Sequence, residues 1–330
     1  HIDDGVADGA DVISEIGHGG ALAARRGRGQ WRRGKRGAIE RSMARLAILT
    51  PDPADLSYAS HWPGVVERLT APLADAGHEV SATPWTEHGE DASRLKAFDL
   101  VLPLVVWGYH REHAQWLAAC EAWGRAGLPV ANPPSVLAWN SDKAYLARLA
   151  EAGVAIPPTR FVNRIDAEAV EAALAEFGAP VIAKPVVSGG AWRTLKLSSP
   201  AELSDGPQEQ AMIQPYLPAI EQGELSLLWF GGRLSHAVRK RPAAGDFRIQ
   251  VQYGGRYEAV GAPTGAVALA EQVLGAIEED LLYARIDMVE DAERGWLLME
   301  AELIEPDFYL GQAPDGGAAF AEAVARRLAR

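Results

Sequence analysis

Two neighbouring stretches decide the fold: Tyr283-Ala284-Arg285-Ile286-Asp287-Met288-Val289 and Trp296-Leu297-Leu298-Met299-Glu300-Ala301-Glu302. Each is an apolar run interrupted by charged residues, as expected of a strand with one covered face. Side chains alternate along a strand, so Glu300 and Glu302 point the same way. With Asp291-Ala292-Glu293-Arg294-Gly295 as the turn, the two strands form a hairpin that can set Asp287 beside that pair. Three carboxylates in one place repel unless a cation neutralises them, and hard oxygen ligands favour Mg²⁺. The plain alternative is a polar stripe on a half-exposed sheet.

Working outward, the chain has 330 residues, of which 48% are hydrophobic and 23% charged, the balance of a globular protein with a sizeable core. No apolar run is long enough for a membrane helix. A single cysteine, Cys120, leaves no intrachain disulfide and no thiolate metal cluster. The net charge of −12 argues against a general nucleic-acid binder. These features fit a cytoplasmic enzyme or binding protein. Of the 32 basic residues only six are lysine, which draws attention to Lys143, Lys184 and Lys240.

Residues 1–42 are rich in arginine and glycine around 25–41 and lack apolar periodicity. They read as a leader, non-native or disordered, with Met43 as the natural first residue; a basic arm for nucleic acid is the rival. From Met43 strands at 46–49, 78–82, 98–106 and 128–131 alternate with helices at 65–76 and 112–125, which implies βαβ units and a parallel sheet. Asn132-Pro133-Pro134 breaks the pattern. Asn140-Ser141-Asp142 then offers N-cap residues for a helix to about 152, with Lys143 in its first turn. Strands at 225–230, 234–238, 247–251, 284–289 and 296–303, and a helix near 267–277, complete the reading.

Lys184 ends the apolar run Val181-Ile182-Ala183 and precedes Ser188-Gly189-Gly190. A lysine beside a glycine-bearing turn can meet phosphate while backbone N–H groups close over it; a snorkelling lysine beside a hairpin turn gives the same pattern. Lys143 is a phosphate contact or a surface residue. Met212-Ile213-Gln214-Pro215-Tyr216-Leu217 is a buried strand turning into a connector, either a linker or an edge that presents a carbonyl and an N–H to adenine. Trp107-Gly108-Tyr109 ends a predicted parallel strand, where α/β folds bind ligands. It lines an acceptor pocket or packs a cleft. His110 and His113 read as a solvated helix face, without further metal ligands at suitable spacing.

In this order the motifs resemble the ATP-grasp superfamily of carboxylate–amine ligases, the group that includes D-alanine–D-alanine ligase and glutathione synthetase. The phrases Trp139-Asn140-Ser141-Asp142-Lys143, Ser235-His236-Ala237-Val238-Arg239-Lys240-Arg241-Pro242 and Ile304-Glu305-Pro306 resemble the glutathione-synthetase-like subgroup containing the ligase that closes the D-cycloserine ring. The resemblance implies an α/β fold with a Rossmann-like pre-ATP-grasp domain at 43–135. A small ATP-grasp subdomain at 136–212 and a C-terminal subdomain at 213–330 with the metal site would follow. It implies ATP and Mg²⁺, with Mn²⁺ as the alternative metal. Lys143, Lys184 and the turn at Ser188, Gly189 and Gly190 would meet the phosphates. Gln214, Pro215, Tyr216 and Leu217 would hold adenine, and Glu224, or less directly Glu221, the ribose. Asp287, Glu300 and Glu302 would bind metal, with glutamate at 302 where the family pattern has asparagine. Arg285, Lys240 and Arg248 would serve catalysis, and Trp107 and Tyr109 the substrate.

The implied reaction joins a small carboxylate to an amine, amino-acid-like in type, through an acyl phosphate, releasing ADP and phosphate. A non-catalytic ATP-binding regulator or scaffold of the same fold is the alternative. No membrane or nucleic-acid partner is expected, and a homodimer is left open.

Overall fold

The computed structural model describes residues 43–203, 208–243 and 254–330. The expectations about the 1–42 leader, about Arg248 and about a strand at 247–251 lie outside the described residues.

β1 (Arg45–Thr50), β2 (Glu79–Pro84) and β3 (Leu100–Leu102) form a parallel sheet in the order β2-β1-β3. Leu46, Ala47, Ile48 and Leu49 of β1 are all fully buried, as a parallel strand covered on both faces requires. α1 (Trp62–Asp75) leads back to β2 through Gly77, whose φ of +91° suits glycine. α2 (His113–Arg125) follows β3. Two expected strands shrink. The run at 98–106 keeps only β3, because Pro103 has no N–H to continue a ladder. That at 128–131, which contains Pro129, is reduced to a single bridge between Val101 and Val130.

α4 (Tyr145–Glu151) is the helix expected after Asn140, begun a few residues later, and α3 (Pro134–Asn140), not expected, precedes it. Lys143 therefore sits in the turn between two short helices rather than in a first helical turn, and it is buried. β4 (Arg160–Val162), α5 (Ala167–Phe177), β5 (Val181–Pro185), β6 (Leu195–Leu197) and β7 (Ala211–Pro215) make a small unit whose antiparallel sheet runs β4-β7-β5-β6. Asp166 caps α5 by accepting the Ala169 N–H at 2.9 Å. The expected division at 212/213 falls inside β7.

The larger sheet is antiparallel. It contains β8 (Glu224–Phe230), β9 (Arg233–Arg241), β10 (Arg256–Val260), β11 (Tyr283–Asp291) and β12 (Gly295–Glu302), in the order β10-β9-β8-β11-β12. α6 (Thr264–Gly275) precedes β11, and α7 (Ala318–Leu328) closes the chain. β10, α5 and α7 were not picked out from sequence. Over β8 and β11 one face of the sheet is apolar: Leu225, Leu227, Trp229, Ile286 and Met288 pack with Ala266, Ala270 and Val273 of α6 and with Leu146 and Leu149 of α4. The other face changes character along its length. Leu228, Phe230 and Tyr283 join Leu46, Ile48, Phe320 and Val324 in a second core, which ties the parallel sheet and α7 to it. Farther along the same face come Glu224, Ser226, Arg285 and Asp287, and this charged half carries the site. No helix of the described residues is long and apolar enough to cross a membrane.

Candidate active site

In the hairpin, Asp287 stands directly across from Glu300 and Arg285 across from Glu302. The register slips immediately after Asp287, a bulge that re-aims the strand at that point. β12 is the edge of its sheet, so its outer backbone groups need partners. Side chains from the preceding helices supply them. Asn140 donates to the Ala301 carbonyl at 2.8 Å and accepts the Leu303 N–H at 2.9 Å, and the Tyr145 hydroxyl accepts the Ala301 N–H at 2.8 Å. Buried Asn132 does the same where the strands end, donating to the Tyr283 and Leu303 carbonyls at 2.9 and 2.8 Å. The strand bearing Glu300 and Glu302 is thus clamped from both sides.

The three expected metal carboxylates share one face, but each is already matched by a cation. Asp287 is held by Lys240 at 3.0 Å and Arg285 at 2.9 Å, and it accepts the Ser226 hydroxyl at 2.5 Å. Glu300 pairs with Lys143 at 2.8 Å, and Glu302 pairs with Arg285. Among the described residues no three acidic or histidine side chains converge tightly enough to hold a metal ion unaided. The donor chemistry still fits a divalent cation that keeps part of its shell from elsewhere. These are hard oxygens on one face, and Mg²⁺ typically takes one or two carboxylates plus substrate phosphates.

Burial raises the Asp287 carboxyl, but Arg285 and Lys240 outweigh it and hold the group well below the carboxylate range. Burial also opposes ionisation of Glu300, where Lys143 and Lys184 win and the shift is downward. At Glu302 burial wins: despite Arg285, with Glu300 nearby, its pKa rises to about 7. Burial draws the Lys184 ammonium down, with Glu300 pulling back. Lys240 is 2% exposed and bridges Glu224, at 2.6 Å, to Asp287. Expected in a catalytic role, Lys240 is here the cation that neutralises two buried carboxylates. The Arg285 guanidinium and Lys240 ammonium also lie 5.3 and 6.0 Å from the centre of the Tyr309 ring.

The glycine-bearing turn meets Lys143 directly. The Lys143 ammonium donates to the Ser188 carbonyl at 2.9 Å, and its backbone N–H donates to the Val186 carbonyl at 2.8 Å. Ser188 itself is buried, its hydroxyl donating to the Pro185 carbonyl at 3.2 Å. Gly189 lies against His110 from the N-terminal part: a Cβ there would fall 3.2 Å from the imidazole Nδ1. Gly190 has φ +59° and open space around it. His110 is therefore not on a solvated helix face. Burial, reinforced by Arg111 and Lys143, takes its pKa down to about 4 and leaves it neutral at pH 7.

The connector after β7 divides its residues between uses. The Gln214 amide donates to the hydroxyl of Thr159, just before β4, at 2.9 Å. The Tyr216 N–H donates to the Pro180 carbonyl at 3.0 Å, and its hydroxyl donates to Glu221 at 2.8 Å. Glu221 is exposed, whereas Glu224 is buried against Lys240 on the charged face. Pro215 ends β7, and Leu217 packs on Val289 and Leu297 of the hairpin.

Trp107 and Tyr109 have different surroundings. Trp107 is half-buried beside Tyr58, with ring centres 5.6 Å apart. Tyr109 is a core residue, packed 5.0 Å from Trp116 in the cluster that fills the N-terminal part. At 6% exposure it has little surface to offer a ligand. Ser226, Asn132, Asn140, Tyr145 and His110 were given no part in the site from sequence. Their partners are about 60 to 170 positions away, as with Asn140 and Ala301 at a separation of 161.

Family models match two parts of the chain: the N-terminal domain of D-cycloserine synthetase DcsG over residues 46–132, and the ATP-grasp domain of prokaryotic glutathione synthetase over residues 154–294. The cycloserine biosynthesis protein DcsG of Streptomyces lavendulae is 30% identical over 288 residues, covering 78% of this chain and 93% of that protein. A glutathione synthetase of Prochlorococcus marinus is 28% identical over 243 residues, 69% of this chain and 73% of its own. Among solved structures, D-cycloserine synthetase DcsG superposes with a TM-score of 0.70 at 27% identity, over 86% of this chain and 100% of that one. D-alanine–D-alanine ligase from Bacillus anthracis superposes with a TM-score of 0.67 over 87% and 98%, and at 15% identity it speaks for the fold.

Proposed function

The chain belongs to the ATP-grasp ligase family of the D-cycloserine and glutathione synthetases, and on that premise we propose how its charged sheet face performs ATP-dependent carboxylate–amine ligation. In this reading a substrate carboxylate attacks the γ-phosphorus of ATP, giving an acyl phosphate and ADP. An amine then displaces phosphate and the C–N bond forms. No side-chain nucleophile is needed; the protein positions the reactants and compensates charge.

The observation that supports this reading is the convergence of Lys143, Lys184, Lys240 and Arg285 with Asp287, Glu300 and Glu302 from four separated segments onto one sheet face. Lys143 and Lys184 would carry the phosphates, under the turn at Ser188 to Gly190. Lys143 has both contacts in place, one to Glu300 and one to the turn. Glu300 and Asp287, with Glu302, would hold Mg²⁺, which when bound draws negative charge from the phosphate oxygens. Since the site's carboxylates already match its lysines and arginine, the charge of ATP calls for cations that arrive with it. Arg285 would keep Asp287 ionised and orient it. The connector from Pro215 to Leu217 would take adenine, and Glu224 the ribose side. Glu302 in place of asparagine adds a charge that Arg285 absorbs.

The substrates would be small amino-acid-like molecules, as the names of the relatives suggest. The division into a pre-ATP-grasp part and two grasp subdomains belongs to the same reading. The test is release of ADP and phosphate across a panel of amino acids and small carboxylates, with and without Mg²⁺. Binding of ATP without release for any member of the panel would favour the regulator reading instead.

A further inference from the structure

His110 and His113, expected on a solvated face, instead contact the two elements that flank the proposed phosphate site. Gly108, at φ +92°, opens a short turn in which the Arg111 N–H donates to the Gly108 carbonyl at 2.9 Å and the Glu112 N–H to the Tyr109 carbonyl at 3.1 Å. Tyr109, just before His110, is buried in the core. Arg111, just after it, donates to the Ser57 hydroxyl at 3.3 Å and pairs with Asp55. With both neighbours fixed, the imidazole stands on a rigid base. It meets the Tyr109 ring edge-on with centres 5.9 Å apart, and its centre lies 5.7 Å from that of the Trp192 ring.

The glycine-bearing turn that carries Trp192 has no buried side chain of its own from Gly189 to Thr194. Gly190, Ala191 and Arg193 have φ of +59°, +63° and +53°. The left-handed region is costly for a residue with a Cβ, so at Ala191 and Arg193 the conformation persists only where the surroundings impose it. Gly189 differs, because its φ lies outside that region and the backbone there does not call for glycine. The imidazole does. A Cβ on Gly189 would fall 3.2 Å from His110 Nδ1 and 3.3 Å from Cε1, closer than carbon ordinarily packs. The missing side chain lets the main chain of the turn press onto the ring.

His113 supports the Lys143 side in the same way. Ser141 gives its proton to the Ala138 carbonyl at 2.7 Å, so His113 Nε2, 2.8 Å from the Ser141 hydroxyl oxygen, is the donor to it. Lys143, just beyond Ser141, reaches the turn through the Ser188 carbonyl.

We propose that His110 is a positioning residue for the phosphate turn: its ring, packed on Gly189 and Trp192, fixes the main chain of the turn where the nucleotide phosphates bind. This rests on the reading of that turn as the phosphate element, and it gives the N-terminal part a share in handling the nucleotide. A turn held in place before ATP arrives is ordered at folding rather than at binding, which favours both affinity and alignment. Since the ring is uncharged at pH 7, its contribution is one of shape, and phenylalanine can supply it.

Hydrogen–deuterium exchange of the full chain, followed over residues 186–194, reads the turn directly. Calorimetric titration with AMP-PNP and Mg²⁺ runs beside it. His110→Ala should speed exchange in that segment by about three- to ten-fold, the scale of one aromatic pair, and weaken AMP-PNP by a similar factor. Exchange in β11 and β12 should stay as in the wild type. His110→Phe should restore both readouts. Gly189→Ala should speed exchange in the wild-type background and add nothing in His110→Ala, because the clash needs both residues. Four results each overturn the proposal: unchanged exchange and affinity in His110→Ala, His110→Phe as impaired as His110→Ala, loosening that spreads through β11 and β12, or no AMP-PNP binding to the wild type. If the wild type binds AMP-PNP and shows the expected exchange pattern but releases no ADP with any panel member, the ligase reading falls and the role of His110 stands. Normal ADP release in His110→Ala with unchanged exchange does the opposite.

Discussion

The Lys143 ammonium lies 2.8 Å from Glu300 and 2.9 Å from the Ser188 carbonyl, so one side chain joins a carboxylate of the sheet to the glycine-bearing turn. Burial disfavours its charge, but Glu300 outweighs burial and the pKa is raised. The ammonium is therefore protonated at neutral pH. In the proposed reading, bound phosphate would compete with Glu300 for it and would couple nucleotide arrival to the freeing of a carboxylate.

That coupling is testable at Glu300. Glu300→Gln keeps the shape and removes the charge that competes for Lys143, so nucleotide affinity should be retained or rise. ADP release should fall by about 100-fold or more, the scale seen when one preorganised electrostatic group is removed. Full turnover in this variant would remove Glu300 from the reacting centre.

Gly223 immediately precedes β8 with φ +105°, and a Cβ there would lie 2.9 Å from Arg239 Cγ and 3.0 Å from the Lys240 carbonyl. Gly223→Ala should cost about 1–3 kcal/mol from backbone strain, with the clash in addition. It should also disturb the adjoining pair of Glu224 and Lys240. Thermal melts with and without AMP-PNP would show a lower Tm and a smaller ligand-induced rise; an unchanged melt would show that the strands can part without loss.

Tyr109 is predicted to matter for stability. Tyr109→Ala should destabilise the protein by about 3–5 kcal/mol, as large-to-small aromatic changes in a core do. Tyr109→Phe should be nearly neutral. Trp107→Ala should leave the melt close to wild type and raise the KM of the amino substrate. Chemical denaturation and steady-state kinetics on the three variants separate packing from binding.

The raised Glu305 pKa has a stability consequence whose sign is definite. Its carboxyl goes from the ordinary 4.5 to about 8, chiefly through burial and then Glu302, so the folded state holds the proton more tightly than the unfolded state. Stability contributed by this group is full below pH 4.5 and declines as pH rises through about 8. Glu305→Gln should flatten the fall of Tm with pH across that window. An identical slope in wild type and variant would show that the group titrates normally.

Cys120 is 2% exposed, and burial pushes its thiol well above the usual range. A thiol reagent should fail to label the native protein at pH 8 and should label one site in denaturant. Rapid native labelling would mean that the core around Trp116 and Trp123 opens.

The alternation of apolar runs with polar breaks fixed the α/β class and located both strands of the hairpin that carries Asp287, Glu300 and Glu302, because a face buried against helices imposes its period on the residues themselves. Spacing alone was enough to place Glu300 and Glu302 on one side. Propensity failed where proline intervened, at Pro103 and Pro129, and it missed α3 ahead of Asn140. The pairings were decided by the tertiary structure. Whether Lys240 meets a phosphate or neutralises Asp287 and Glu224, whether Tyr109 lines a cleft or fills a core, and whether His110 faces solvent or Gly189 all depend on contacts between distant segments. Coulomb energy and desolvation vary with separation in space and with burial, and neither quantity is written in the order of residues along the chain.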